Sequence, residues 1–438
     1  MTLKSLIRKF IGSNETEAHE KMSHELGSDA TVLKKSATSQ GVEILAASRE
    51  YMDHALRTPN ARSSPATGPN EAINENPRHS VRDRSTTLPP RCDHADQELQ
   101  RIRQAMPALL WELVRRISVP MPNRPFPLMH FGQARRVAVL SREQAGSMED
   151  WFFIGDLHGD FFALHTLLRQ VETLNPNGRV LFLGDMVDRG AMPIECIFLL
   201  LEWGLRYPGR LAWIAGNHDI AFSCDHLGVF SSQVSPAEFL TELNAKDLFA
   251  GTRQQIGHFF IDMARRLPRA FLFPDGLLAT HGGFPLSDLQ TQGQAITEEQ
   301  SYLDWLSSDA CLKDFTWTRI NRVPKRLPDR FSSGAQYGFK DFEAFCQLKP
   351  QWFPVTHLVT GHEHPANGFD LHLTYRINQA VTLLGMGLDE ITGAYNDNLY
   401  LGRGVTGAVP EVIAVPVDRH ELAMLTGGSP APAGPLSL

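Results

Sequence analysis

Short apolar runs punctuate the middle of the chain, and each gives way to a cluster of glycines and polar residues. Residues 151–154 lead to Gly155-Asp156-Leu157-His158, residues 180–183 to Gly184-Asp185-Met186-Val187-Asp188-Arg189, and residues 211–215 to Gly216-Asn217-His218-Asp219. Farther on, 277–279 lead to Thr280-His281-Gly282-Gly283, and 355–360 to Gly361-His362-Glu363-His364. Runs this short, bounded by glycines, predict buried strands. Helical spacing at 161–173 and 193–206 places helices between the first three, an alternation expected of βαβ units. In such sheets ligands gather beyond the carboxyl ends of the strands, where these polar clusters fall. Upstream, the spacing of Leu99, Ile102, Leu109, Leu113 and Ile117 predicts a helix, kinked or interrupted at Pro107. Residues 222–269 turn helical and are expected to cap one side of the strand ends, with Phe259 and Phe260 in its core. Residues 135–141 read as a strand leading into the domain, after a proline-rich connection at 120–127. Residues 381–384 and 412–417 read as strands of a second sheet.

Composition sets the limits of the folded part. The chain has 438 residues, 42% hydrophobic and 21% charged, enough for a full core. Yet Phe10 and Tyr51 are the only aromatic residues before position 96, while all seven tryptophans come later. Residues 1–95 therefore read as a disordered arm with short amphipathic helices at 1–12 and 42–55 and a linker at 58–90. Such an arm leaves room for a docking partner. The folded domain is expected at 96–420, and the Gly/Pro-rich end, 421–438, as a disordered tail. A formal charge of −7 gives no global attraction to nucleic acid or acidic membranes. No run approaches a membrane span, and charges break up the apolar residues of the first twelve positions. Five scattered cysteines, without a C-x-x-C pair, point to a reduced cytoplasm.

The polar clusters carry the chemistry. An isolated Gly-Asp would be an ordinary turn, but here the strand ends together offer Asp156, Asp185, Asn217, His158, His281, His362 and His364. Imidazole mixed with carboxylate suits Mn²⁺, Fe or Zn²⁺ and is poor for Ca²⁺. There are too many donors for one ion. With one carboxylate bridging they divide into two neighbouring sites, an arrangement that activates water and neutralises both ends of an in-line displacement. His165 and His357 read as surface or core residues, and Asp160 as a helix N-cap or a group supporting the ligands.

In order and kind, these motifs resemble those of the calcineurin-like metallophosphoesterases, and within them the phosphoprotein phosphatases, over residues 151–402. The resemblance implies an α/β fold, a four-layer calcineurin-like β-sandwich flanked by helices, with a dinuclear metal site at the strand C-terminal ends. It implies two divalent ions, Mn²⁺ favoured and Fe or Zn²⁺ compatible. Asp156, His158 and Asp185 would hold one; Asp185, Asn217, His281 and His362 would hold the other, with Asp185 as the bridge. In members with a G-H-x-H motif the second histidine joins the first metal, which makes His364 an additional ligand. Arg189, with Asn217 and His218, would bind the substrate phosphate, and His218 would protonate the leaving group while Asp188 orients it. Two positions depart from the pattern. Ser333 stands where a second phosphate-clamping arginine is usual, leaving Arg319, Arg322 and Arg330 as substitutes, and Asp219 stands where eukaryotic protein phosphatases carry Glu.

Three functions are compatible with this reading. The first is a metal-dependent phosphomonoesterase acting on phosphoserine or phosphothreonine, its substrate a phosphoprotein or a phosphorylated small molecule. The second is a dinucleoside polyphosphate hydrolase of the diadenosine tetraphosphate type, against which the V-D-R-G segment at Asp188 argues. The third is a binding scaffold that has lost catalysis, against which the complete ligand set argues.

Overall fold

The computed structural model describes residues 7–26, 31–38, 41–47, 91–118, 136–244, 250–286, 289, 295–321, 323–328, 334–348, 351–372, 380–389 and 394–426. The chain divides into two units, 1–89 and 90–438. In the first, strands Ile7–Gly12, Thr31–Thr38 and Gly41–Ala47 form an antiparallel sheet, with helix Glu15–Leu26 between the first two in sequence. Over residues 7–12 and 42–47 strands stand where helices were expected; residues 1–6 and 48–55 lie outside the described residues. The β-branched residues Ile7, Ile11, Val42 and Ile44 prefer extended backbone, a signal that outweighs the helical spacing. The linker expected at 58–90 lies outside the described residues.

In the second unit the five apolar runs are strands, each buried through most of its length. Trp151–Ile154, Arg179–Phe182 and Leu211–Trp213 lie parallel in a five-stranded sheet, connected by helices Phe161–Leu174 and Pro193–Arg206. Leu277–Thr280 and His357–Thr360 lie parallel in a six-stranded sheet. The sheets face one another. Trp151, Phe153, Leu181 and Ala212 from the first meet Phe271, Ala279, Val359 and Val381 from the second in one buried cluster. Residues of the other parity point outward: Leu278, Leu358 and Ala380 pack with Tyr302, Phe315 and Phe342 from the helical layer beyond and with Phe284 from the loop after Leu277–Thr280. Strict alternation on strands buried from both sides produces the continuous apolar runs seen in the sequence.

The late strands divide differently from expectation. Ala380–Leu383 enters the six-stranded sheet, but Glu411–Pro416 pairs with Asn398–Arg403, which is antiparallel to Trp151–Ile154 in the other sheet. The intervening strand, unrecognised in the sequence, carries the last one to the opposite sheet as a hairpin. Val137–Val139 is the leading strand, parallel to Ala270–Leu272.

Helix Ala95–Ser118 runs through Pro107, with Leu99, Ile102, Leu109 and Leu113 buried. Arg101 on this helix forks between Glu98 and Glu202, with Nη1 at 2.7 Å from Glu202 Oε1 and Nη2 at 2.7 Å from Glu98 Oε1. Its first N–H, on Ala95, is accepted by Glu421 at 2.5 Å. Glu421 belongs to helix Arg419–Thr426, so the tail expected to be disordered from 421 is helical to 426; residues 427–438 lie outside the described residues. Residues 222–266 form a hairpin, Phe222–Cys224 with Phe230–Ser232, and helices Glu238–Asn244 and Ala250–Arg266. Phe259 and Phe260 are buried in this cap as expected, the latter ring 5.3 Å from Phe239.

Candidate metal centre

The two sheets come within hydrogen-bonding distance where their central strands end. Asp156 forms a parallel bridge with Leu384, and its carbonyl accepts N–H groups from Gly385 at 3.0 Å and Met386 at 2.8 Å. A side chain at Gly155 would lie 2.0 Å from the Leu383 carbonyl oxygen, so only glycine permits this approach. The loops that follow are sharply turned. His158 (φ 44°), Asp185 (58°), Asp188 (69°), Arg189 (64°) and His362 (66°) all occupy the left-handed region. Such backbone costs on the order of 1–3 kcal/mol per residue and persists where surrounding structure enforces it.

These turns bring the donors into two adjoining groups: Asp156, His158 and His364, and Asp185, His281 and His362. In the first, His364 Nε2 lies 3.4 Å and His158 Nε2 3.9 Å from Asp156 Oδ2. In the second, His281 Nε2 is 3.3 Å from Asp185 Oδ2 and 2.9 Å from Asn217 Oδ1. Asp185 Oδ2 is also 3.8 Å from His158 Nε2, so this one oxygen faces both groups. All seven residues expected as ligands are thus gathered.

Their electronic state fits a cation. His158 and His281 each spend Nδ1 on a backbone carbonyl, of Val187 at 2.7 Å and Leu183 at 2.9 Å, which turns Nε2 inward. The Nε2 atoms of His158 and His362 are buried and make no hydrogen bond among the described residues. Buried polar atoms are rarely left without a partner, and two neutral imidazole lone pairs beside carboxylates are the partners a divalent ion takes. Burial holds His158 neutral, with a pKa lowered to about 3, and drives His362 well below its usual value. Burial also opposes protonation of His281, but Asp185 and Asp156 beside it prevail and raise its pKa to about 9. A proton and a metal ion compete for that nitrogen. Asp185 is held well below the usual carboxylate range, burial being outweighed by His281 and His218.

Beside the donors stands a second constellation. His218 Nδ1 lies 2.6 Å from Asp188 Oδ2, both side chains buried. Burial works against the charged imidazole, but Asp185 and the Asp188 hydrogen bond raise its pKa. Asp219 performs a task that its motif position does not disclose. Its carboxylate accepts N–H groups from Asp185 (3.0 Å), Met186 (2.9 Å) and Gly216 (3.0 Å), fastening one ligand loop to the next. Burial, with the neighbouring Asp185, pushes its pKa up to about 6.

Of the substitute arginines, Arg319 reaches the site's edge: its Nη1 donates to the His362 carbonyl at 3.1 Å and to Glu363 at 3.2 Å. Arg322, Arg330 and Ser333 lie outside the described residues. Asp160 caps helix Phe161–Leu174 through Ala163 N–H and also accepts from Gly387 N–H and the Tyr395 hydroxyl. His165 is buried against the Cys92 carbonyl, and His357 meets Thr356; neither joins the centre. Glu238, unremarked in the sequence, accepts Arg189 N–H at 2.9 Å. No local pattern marks it, because its partner lies 49 residues away.

Comparison with known proteins gives this geometry a context. Residues 152–366 match the calcineurin-like phosphoesterase family. Serine/threonine-protein phosphatase C23G10.1 of Caenorhabditis elegans is 27% identical over 224 residues, 49% of this chain and 43% of that protein. The PP2A-like serine/threonine-protein phosphatase PPG1 of Candida albicans is 30% identical over 205 residues, 44% of this chain and 43% of that one. The chain spans less than half the length of either. A solved serine/threonine phosphatase of Saccharomyces cerevisiae with similarity to human PP5 superposes with a TM-score of 0.50 at 16% identity, over 72% of this chain and 90% of that one, which establishes a common fold.

Proposed function

We propose, from the premise that residues 152–366 are a calcineurin-like metallophosphoesterase domain, that this protein hydrolyses phosphate monoesters of serine and threonine in proteins. The observation that carries the reading is the meeting of two donor groups on Asp185 Oδ2 with the His218–Asp188 pair at their side. Two divalent ions, Mn²⁺ by preference, would be held by Asp156, His158, Asp185 and His364 on one side and by Asp185, Asn217, His281 and His362 on the other. When bound they supply Lewis acidity toward phosphate and a water acidic enough to attack it. Arg189 binds the phosphate by its forked guanidinium, and Asn217 and His218 line the same position. His218, whose pKa is raised against burial by Asp185 and by its hydrogen bond with Asp188, donates the proton that an alkoxide leaving group requires. That demand is severe for serine and threonine monoesters and mild for a phosphoanhydride. Phosphatase relatives at 27% and 30% identity support the same substrate class.

The test is a side-by-side assay of the metal-loaded protein on phosphoserine and phosphothreonine peptides and on diadenosine tetraphosphate. Peptides are expected to give the higher kcat/KM. A tenfold preference for the dinucleotide, about 1.4 kcal/mol of transition-state binding, would replace the protein-phosphatase reading with a nucleotide hydrolase at the same site.

A further inference from the structure

The turn that presents Asp188 and Arg189 is gripped from outside the metal loops. Its two residues are consecutive non-glycines with positive φ, and neither conformation is maintained by local preference. Two hydrogen bonds to the first turn of helix Glu238–Asn244 hold it. Phe239 N–H, one of the donors a helix start leaves free, donates to Asp188 Oδ1 at 3.1 Å, and Glu238 Oε2 accepts Arg189 N–H at 2.9 Å. The exchange is reciprocal. Asp188 serves as a cap for the helix, and the first helical residue fastens the turn in return. The other oxygen of Asp188 is the one that meets His218 Nδ1. A single carboxylate therefore joins the helix to the imidazole. Phe239 anchors the helix in turn, its ring 5.3 Å from both Phe222 and Phe260 in the core of the cap.

We propose that Glu238 is a positioning residue for proton delivery: by holding Arg189 N–H it fixes the rotation of the Asp188-Arg189 turn and aims the Asp188 carboxylate at His218. The inference rests on the reading of His218 as the acid. Glu238 reaches no reacting atom, so its effect falls on the acid step and not on metal occupancy. A carboxylate accepting a backbone N–H makes a charge-assisted bond, stronger than a neutral one.

Full-length Glu238→Ala and Glu238→Gln proteins test this. For Glu238→Ala, metal content is expected to match the wild type, with kcat on a phosphoserine peptide about tenfold lower and any rise in KM, through Arg189, shared equally by both esters. The loss should be smaller on p-nitrophenyl phosphate, whose leaving group needs little protonation. In Glu238→Gln the amide oxygen still accepts the Arg189 N–H, and most of the rate should return. A crystal structure of Glu238→Ala should show Asp188 Oδ2 out of hydrogen-bond reach of His218. Wild-type kcat in Glu238→Ala, equal losses on both esters accompanied by metal loss, or an intact Asp188–His218 contact would each overturn the proposal. A wild-type protein that hydrolyses neither ester would defeat the phosphatase reading instead, and the variant's structure would still decide whether Glu238 sets that contact.

Discussion

The candidate metal donors follow the ends of strands in two sheets, whereas the His218–Asp188 pair hangs from a turn, a four-residue helix and a helix of the cap. The first group is placed by strand register. Asp156 continues one strand into a bridge with Leu384, and Asp219 fastens the loops of Asp185 and Gly216 together. A side chain at Gly216 would lie 2.1 Å from Asp185 Oδ1, so these loops tolerate almost no displacement. The second group is placed by hydrogen bonds between segments distant in sequence. Donors fixed by register should fail together, and the His218–Asp188 pair should fail alone.

Substitutions can separate the two. The largest effect is expected from Asp185→Asn, because one oxygen faces both donor groups. Elemental analysis should find both ions depleted and phosphatase activity at background; a variant retaining two equivalents of metal would show that the groups are independent. Next comes His218→Asn, which should keep its metals and lose about 10²–10⁴ in kcat on alkyl phosphates, the usual worth of general acid catalysis. Equal losses on p-nitrophenyl phosphate would remove His218 from the acid role. The smallest effect belongs to His364→Ala. This histidine is partly exposed, at 21% of its side chain, and stands at the rim of the first group. Titration should show about a 10–100-fold weaker affinity for one ion, in the range that loss of a supporting interaction produces, and an unchanged affinity for the other. Equal weakening of both would join the sites more closely than this geometry does.

The same contrast explains what could be read in the sequence. Five of the seven candidate donors, Asp156, Asp185, Asn217, His281 and His362, directly follow an apolar run and a glycine or threonine, so the runs marked where they stand, while their reading as ligands came from residue type and from the resemblance. Asp160 as a cap was legible because the N–H it accepts, that of Ala163, lies three residues away, and Phe260 as core because helical spacing marked its face. Glu238 was not legible, since nothing near Ser235 or Pro236 announces a contact with Arg189. Nor was the sheet assignment of 412–417, which depends on Asn398–Arg403 choosing Trp151–Ile154 as its neighbour. In the first unit, strands stand where helical spacing was read, because short segments rich in Ile and Val satisfy both periodicities and pairing between strands decides.

Arg101 has a consequence for where the folded unit begins. The stretch similar to other phosphoesterases starts at residue 152, yet Glu202, inside that stretch and 1% exposed, takes its forked ion pair from the helix at 95–118, beside a longer one to Arg206. A fragment cut at the boundary of similarity would lose this forked partner and the buried face of the helix, leaving Glu202 only its longer contact with Arg206 Nη2 at 3.5 Å. Domains of this kind have only about 5–15 kcal/mol of stability in total. The folding module is therefore longer than the catalytic signature, and loss of Arg101 is expected to lower stability while every candidate ligand remains in place.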